Sequence, residues 1–327
     1  MTITIPSGRT IALVAKDGGG FQSEGLEVSP VPYGETYWGD FVDITQPSAT
    51  LFSDDFATGD LSHTENGASW GSQRATSLVN GDGCVIFSAS GSVIDPPNCG
   101  FDSREWEGLR NNNAMRFRYG VDADFAMQTW SLNQPATRVR DIWFRFPMRV
   151  PLDYEHVNNS GSSTNNKFLA VWMDGREANS DGGATVVFQT RERGGNLGSS
   201  FVVYCWNSAD GAGDFASFTD FISVPTSGGS QRDDRGRWYE LVLKVEANSA
   251  GGDGIVKAWR RWQDEGEYSL LFSQGRDIPI PSSGYDGWDT VQILGGDNSW
   301  LTEGMEVLMD GFECSDSPLV PAGTEGL

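Results

Sequence analysis

The amino-acid sequence predicts an all-β protein, a jelly-roll sandwich of two antiparallel sheets, and three observations carry that expectation. Residues 238–246 and 255–262 alternate apolar and polar side chains with period two, the mark of strands with one face buried and the other wetted. The 41 glycines and 14 prolines among 327 residues leave little room for long helices, while a 12% aromatic share supplies the bulk of a β core. Short strand signals, separated by turn signals and without a fixed-period repeat, recur from Leu51 to about Asp316. A chain of this length holds either one large β domain or two smaller ones.

Residues 1–50 are expected to form an extended N-terminal docking arm. A short β signal at residues 10–15 is followed by Gly18, Gly19, Gly20, Pro30, Pro32, Tyr33, Tyr37 and Trp38, too few apolar residues for a core of their own. The sandwich domain is expected over 51–316. Residues 142–150 set Trp143, Arg145 and Arg149 on one face and Phe144, Phe146 and Met148 on the other, with Pro147 expected at a bulge or sheet edge. Further strands are expected at 167–173, 184–191, 200–206, 290–294 and 306–313, and a helical segment only around 122–131. In the hairpin, Leu241, Leu243 and Val245 alternate with Val242, Lys244 and Glu246, and Val256 and Ala258 with Ile255, Lys257 and Trp259. Residues 248–254 supply the glycines that reverse the chain. Residues 317–327 read as a C-terminal tail.

Forty-five acidic against 23 basic side chains give a net charge of -22, which repels nucleic-acid backbones and anionic membrane surfaces. No run of about 18 apolar residues marks a membrane span. The start, Met1-Thr2-Ile3-Thr4-Ile5-Pro6, carries neither a basic region nor an apolar stretch, so the expectation is a protein made and released in a cytosol. Cys84, Cys99, Cys205 and Cys314 show no zinc spacing and read as buried thiols, with Cys84 and Cys99 a candidate pair for bridging in an oxidising medium.

Four stretches carry a resemblance: SDDFATGDLS at 53–62 with Trp70-Gly71, NKFLAVWMDG at 166–175, the hairpin RWYELVLKVEANSAGGDGIVKAW, and EVLMDGFECSD at 306–316. Over residues 51–316 the chain resembles the concanavalin A-like lectin/glucanase superfamily, and more closely its polysaccharide-lyase-like members. The resemblance implies a carbohydrate groove on one sheet. The hydrolases of that fold place carboxylates at i, i+2 and i+4 on one strand. Glu303, Glu306, Asp310 and Glu313 miss that period, and Glu24 with Glu27 falls in the arm.

For a lyase, the resemblance implies Arg145, His156, Gln189 and Tyr204 as the residues that would neutralise a uronic carboxylate and move its neighbouring proton, with Tyr154 and Arg191 as further candidates. RFPMR and FQTRE stand where the family has its tighter motifs, and no histidine follows Gln189. Sugar binding without turnover needs only aromatic rings and hydrogen-bonding side chains, for which the candidates are Trp143, Trp172, Gln189, Arg191, Tyr204 and Trp206. Sandwich cores also consume tryptophan. By the same resemblance, a structural calcium would involve Asp54, Asp55 or Asp310, although the sequence has no DxDxDG loop. No cofactor is required.

These features together lead to the expectation of a bacteriophage virion structural protein, of capsid-decoration or fibre type. Its lectin-like domain would bind host-surface glycans while the arm docks on other virion subunits in a symmetric assembly or homo-oligomer. The alternative is a polysaccharide lyase that cleaves an acidic glycan by β-elimination. Neither reading calls for a nucleic-acid or membrane partner.

Overall fold

A computed structural model describes residues 2–4, 10–12, 50–55, 63–65, 68–71, 85–88, 99–102, 114–118, 123–131, 139–150, 152, 154–156, 165–173, 184–192, 198–206, 212–225, 232–249, 252–279, 287–293, 306–321 and 323–324. The first strands in chain order are β1 (Thr2–Thr4), β2 (Thr10–Ala12), β3 (Thr50–Asp54), β4 (Thr64–Glu65), β5 (Ala68–Gly71), β6 (Val85–Ser88), β7 (Cys99–Asp102) and β8 (Ala114–Arg118). The middle of the chain forms β9 (Ala123–Ser131), β10 (Asp141–Arg149), β11 (Asn165–Trp172), β12 (Thr185–Glu192), β13 (Ser199–Trp206) and β14 (Gly213–Ile222). The last strands are β15 (Trp238–Glu246), β16 (Gly254–Trp262), β17 (Ser269–Arg276), β18 (Thr290–Ile293), β19 (Glu306–Met309) and β20 (Phe312–Ser315).

Apart from the β1–β2 hairpin, these strands form two antiparallel sheets. Sheet I runs β17-β16-β15-β10-β19-β8-β7, with β20 joining β10 to β3. Sheet II runs β14-β13-β12-β11-β18-β9-β5-β4, with β6 beside β9. Each long strand sends alternate residues inward. Phe144, Phe146, Leu241, Leu243, Val245, Val256 and Ala258 of sheet I meet Leu169, Val171, Val186, Phe188, Phe201, Val203 and Val291 of sheet II in one buried cluster. Phe201 sits where the sheets touch, its ring centroid 5.2 Å from Phe168 of β11 and 5.4 Å from Phe272 of β17. The architecture is the jelly-roll sandwich that the alternation predicts, and the inward faces of β10, β15 and β16 are the expected ones.

Two expectations change. Residues 123–131, expected as the one helical segment, form strand β9 instead. Its backbone pairs with β18 through Gln128↔Ile293 to Ser131↔Thr290 and with β6 through Met127↔Val85. Hydrogen bonding to neighbours on both sides outweighs the modest helix preference of Ala, Met and Gln. The single strand expected at 306–313 is two strands, broken at Asp310-Gly311, where Gly311 has a φ of +72°.

Pro147 meets the bulge among its two expected placements, not the edge, for it stands in the middle of sheet I and pairs with Glu240 of β15. β10 pairs Arg145 with Glu313 and Met148 with Met309, so Phe146 and Pro147 lie opposite Asp310, Gly311 and Phe312. The Asp310 N–H donates to the Pro147 carbonyl at 3.1 Å, so Pro147 turns its donor-less nitrogen toward this bulge. A proline is tolerated in a central strand because its neighbour is the strand that bulges.

The outer face of sheet I is not wetted throughout. Leu319 and Val320 pack on Trp143, Val242 and Trp259 in a second buried cluster, with the two indoles stacked at 5.5 Å and 15°. The terminal residues expected as a tail therefore include an apolar strap across β10, β15 and β16. Cys205 and Cys314 are buried thiols, and burial pushes the Cys314 thiol well above its ordinary range. Cys84, one half of the expected Cys84–Cys99 pair, lies outside the described residues, as does most of the arm.

The hairpin turn is locked by one side chain. Asn248 Oδ1 accepts hydrogen bonds from the Gly254 and Ile278 N–H groups, each at 2.9 Å, and its Nδ2 donates to Asp277 Oδ1 at 2.5 Å. A Cβ on Gly254 would lie 2.5 Å from the Arg276 carbonyl, so only glycine lets β17 close against the turn. Asn248→Ala leaves two backbone donors without their acceptor and should cost about 2–3 kcal/mol. Urea unfolding should show this as a lowered midpoint, and Asn248→Asp, which keeps the acceptor beside Asp277, should fall between the two.

Candidate functional site

Sheet II has an outer face whose composition differs from that of any ordinary solvated strand surface. With Val186 and Phe188 pointing inward, Thr185, Val187, Gln189 and Arg191 of β12 point outward. The register aligns neighbouring strands with them. Trp172 of β11, Thr185 and Trp206 of β13 form one row, and Ala170, Val187 and Tyr204 form the next. Lys167, Gln189 and Val202 form a third, and Arg191 lies opposite Ser200 in a fourth. Thr185 and Arg191 are six positions apart, a span of about 20 Å at the usual strand rise.

Aromatic and polar groups are interleaved along that span. Ala170, Trp172 and Val187 form a small apolar cluster with Tyr204 against it. Tyr204 and Trp206 meet edge to face at 4.9 Å, and Trp206 is 42% exposed, an unusual placement for so large a ring. Thr185 is 1% exposed, and its Oγ1 has no hydrogen-bond partner although it lies between the two tryptophans. Gln189 is buried at 2% exposure. Arg191 reaches Asp214 of β14 with both terminal nitrogens, Nη2 to Oδ1 at 2.8 Å and Nη1 to Oδ2, while its Nε–H is buried without a partner. On the far side of β11, Thr290 and Gln292 of β18 continue the rows of Trp172 and Ala170.

The structure thus brings together Trp172, Gln189, Arg191, Tyr204 and Trp206 of the sequence candidates. It sets the other four, Trp143, Arg145, Tyr154 and His156, apart. Trp143 is on the outer face of sheet I, under the C-terminal strap. Arg145 is on the same face, bound to Glu313 with Nε–Oε2 at 3.0 Å. Burial lowers its basicity, but Glu313 and Glu240 more than offset that and hold the guanidinium above its ordinary value. His156 is inside the sandwich. Its Nδ1 lies 2.9 Å from Ser199 Oγ, which is also 2.5 Å from the Tyr154 hydroxyl, and all three residues are buried. Of the four residues implied for a lyase, only Gln189 and Tyr204 share a face.

Thr185 was within reach of the sequence once the strand limits were set, because period-two parity puts it beside Gln189 and Arg191. Lys167 was not, because a bulge between Lys167 and Leu169 brings it to this face against its parity with Trp172. Asp214 was not, since GDFASFTDFI carries no strong apolar alternation and no strand was expected there. For the implied calcium, Asp54 and Asp310 are buried and Asp55 is exposed. Among the described residues no group of three or more His, Cys, Asp or Glu side chains is placed to hold a metal ion.

No family model matches the sequence, and no curated protein matches it. Solved structures do. The alginate lyase vAL-1 from Chlorella virus aligns with a TM-score of 0.43 at 9% identity, over 66% of this chain and 88% of that one. The exoplasmic/lumenal domain of VIP36, in a Ca2+/Man3GlcNAc-bound form, aligns with a TM-score of 0.37 at 12% identity, over 74% and 93%. The winged bean acidic lectin, complexed with methyl-α-D-galactose, aligns with a TM-score of 0.35 at 9% identity, over 71% and 98%. At TM-scores this low, the chemistry of the outer face has to be read from its own side chains.

His156 supplies a pH test. Burial lowers its imidazole to about 4 from the ordinary value near 6.5. The fold therefore favours the neutral ring, and its contribution is complete above about pH 6.5 and lost as pH falls toward 4, in total on the order of 3 kcal/mol. The urea midpoint of the native protein should fall more steeply from pH 7 to pH 4.5 than that of His156→Gln. Parallel curves would show that His156 does not carry the acid sensitivity.

Proposed function

We propose that this protein binds carbohydrate on the outer face of sheet II and does not turn it over. The observation that carries the reading is the row Trp172, Thr185, Trp206, in which a buried hydroxyl without a partner sits between two indoles, one of them 42% exposed. Aromatic rings stack on the C–H faces of sugars, and side-chain hydroxyls and amides bond their edges. Tyr204 and Gln189 extend the same pattern along the strands. A span of about 20 Å accommodates an oligosaccharide rather than a single ring. The alternative of β-elimination draws less support, because Arg145 and His156 are held elsewhere by Glu313 and Ser199.

We further propose a virion as the setting, with the N-terminal segment docking the sandwich on neighbouring subunits. What supports it is the composition of residues 1–50, rich in glycine, proline and aromatics yet too poor in apolar residues for a core. Proteomics of purified particles should find the chain, and its absence from them would end this part of the reading.

For the site itself, Trp206→Ala and Trp172→Ala should each weaken glycan binding about tenfold or more, a loss of roughly 1.4 kcal/mol. Trp143→Ala should leave affinity unchanged although it lowers stability. Calorimetric titration with a glycan identified on an array checks both halves. Equal affinity in the Trp206 and Trp172 variants would exclude this face.

A further inference from the structure

Resting on that reading, we infer that the groove takes an uncharged glycan and that Asp214 is the residue that excludes sugars bearing carboxylates. Among the strand residues of this face whose side chains are described, the charged ones are Lys167, Arg191 and Asp214. Arg191 is the group best suited to a uronic acid, because its fork matches a carboxylate with two parallel hydrogen bonds. In this protein Asp214 already makes those two bonds.

An incoming sugar carboxylate would have to displace Asp214 from the geometry that it copies. It would gain nothing in the exchange and would leave the Asp214 charge unpaired beside it. The overall charge of -22 adds a field that repels polyanions at longer range.

The remaining polar groups of this face suit hydroxyls, although Thr185 and Gln189 are buried, so a sugar meets them only as it displaces what covers them. Thr185 Oγ1 and the Arg191 Nε–H are buried without partners, and Gln189 brings both a donor and an acceptor to the same face. Single hydrogen bonds of this kind, set between Trp172, Tyr204 and Trp206, recognise the edges of neutral pyranoses. None of them compensates an anion. Arg191 then acts as a fixed donor held in place by Asp214, and the pair determines specificity.

The test uses the full chain and an array carrying neutral gluco-, manno- and galacto-oligosaccharides together with oligoalginates and oligogalacturonates of equal length, followed by calorimetry at low salt. The native protein should bind its best neutral glycan at least tenfold more tightly than any uronan. Asp214→Asn should raise uronan affinity relative to neutral-glycan affinity about tenfold, in a manner lost at high salt. Asp214→Ser gives a second replacement, and the native preference alone decides the matter if neither variant folds. Uronan binding by the native protein equal to or tighter than neutral binding overturns this inference and leaves the glycan reading standing. An unchanged ratio in the variants also overturns it. No binding of either class overturns the glycan reading and this inference with it.

Discussion

The two sheets of this protein share one layer of buried side chains, and that constraint decides what every other surface is free to do. Phe201 contacts rings of β11, β12, β14 and β17, with centroids between 4.9 and 6.4 Å in the network it forms with Phe168, Phe188, Phe221 and Phe272. Packing at this density fixes the twist and the facing of both sheets. The inner faces therefore have the same chemistry, and any difference in role lies on the outer ones. Sheet I uses its outer face on itself. Arg145 pairs with Glu313, Arg261 and Tyr268 meet the buried Glu240, Lys244 bridges Asp141 and Glu246, and the stacked indoles lie under Leu319 and Val320. Sheet II leaves a large ring half in water and a hydroxyl without a partner.

One end of the sandwich is closed by charge rather than by hydrocarbon. Asp234 has no exposed surface, accepts the Ser223 N–H at 2.8 Å, and binds Arg232 and Arg237. Beside it, Arg260 donates to the Phe221 carbonyl and lies over Trp262, 4.5 Å from the ring centroid. Every partner here is needed to offset the cost of taking a carboxylate and a guanidinium out of water. The arrangement ties the end of β14 to the start of β15 and so holds β13 and β14, with Tyr204, Trp206 and Asp214, in register with β12.

Alternation alone made the central strands legible, because each of them has one face in the shared core. Phe144, Phe146, Leu241, Leu243, Val186 and Phe188 are inside as their spacing requires. The outer set Trp172, Gln189, Arg191, Tyr204 and Trp206 followed from the same parity combined with the resemblance to carbohydrate-binding sandwiches. The failures have physical causes. β9 is held by pairing on both sides, which its own residues do not encode, and β14 is a polar strand at a sheet edge, so Asp214 was hidden with it. His156 and Arg145 are polar residues whose partners, Ser199 and Glu313, are 43 and 168 residues away in sequence. Such distances cannot be read from local pattern. Trp143 looked like a ligand platform because nothing near it in sequence reveals that Leu319 and Val320 cover it.

That strap has a mechanical meaning. Leu319 and Val320 cross β10, β15 and β16 on the outside, while the chain just before them pairs through β20 with both β10 and β3. Tension on the C-terminus would first peel the strap from the indoles, contact by contact, before any load reached the hydrogen-bond ladder between β10 and β20. Peeling takes little force at each step, whereas pulling a ladder along its strands strains all its bonds together. Under a pull from beyond Val320 the strap would thus give way before the sandwich, and before the outer face of sheet II on its other side.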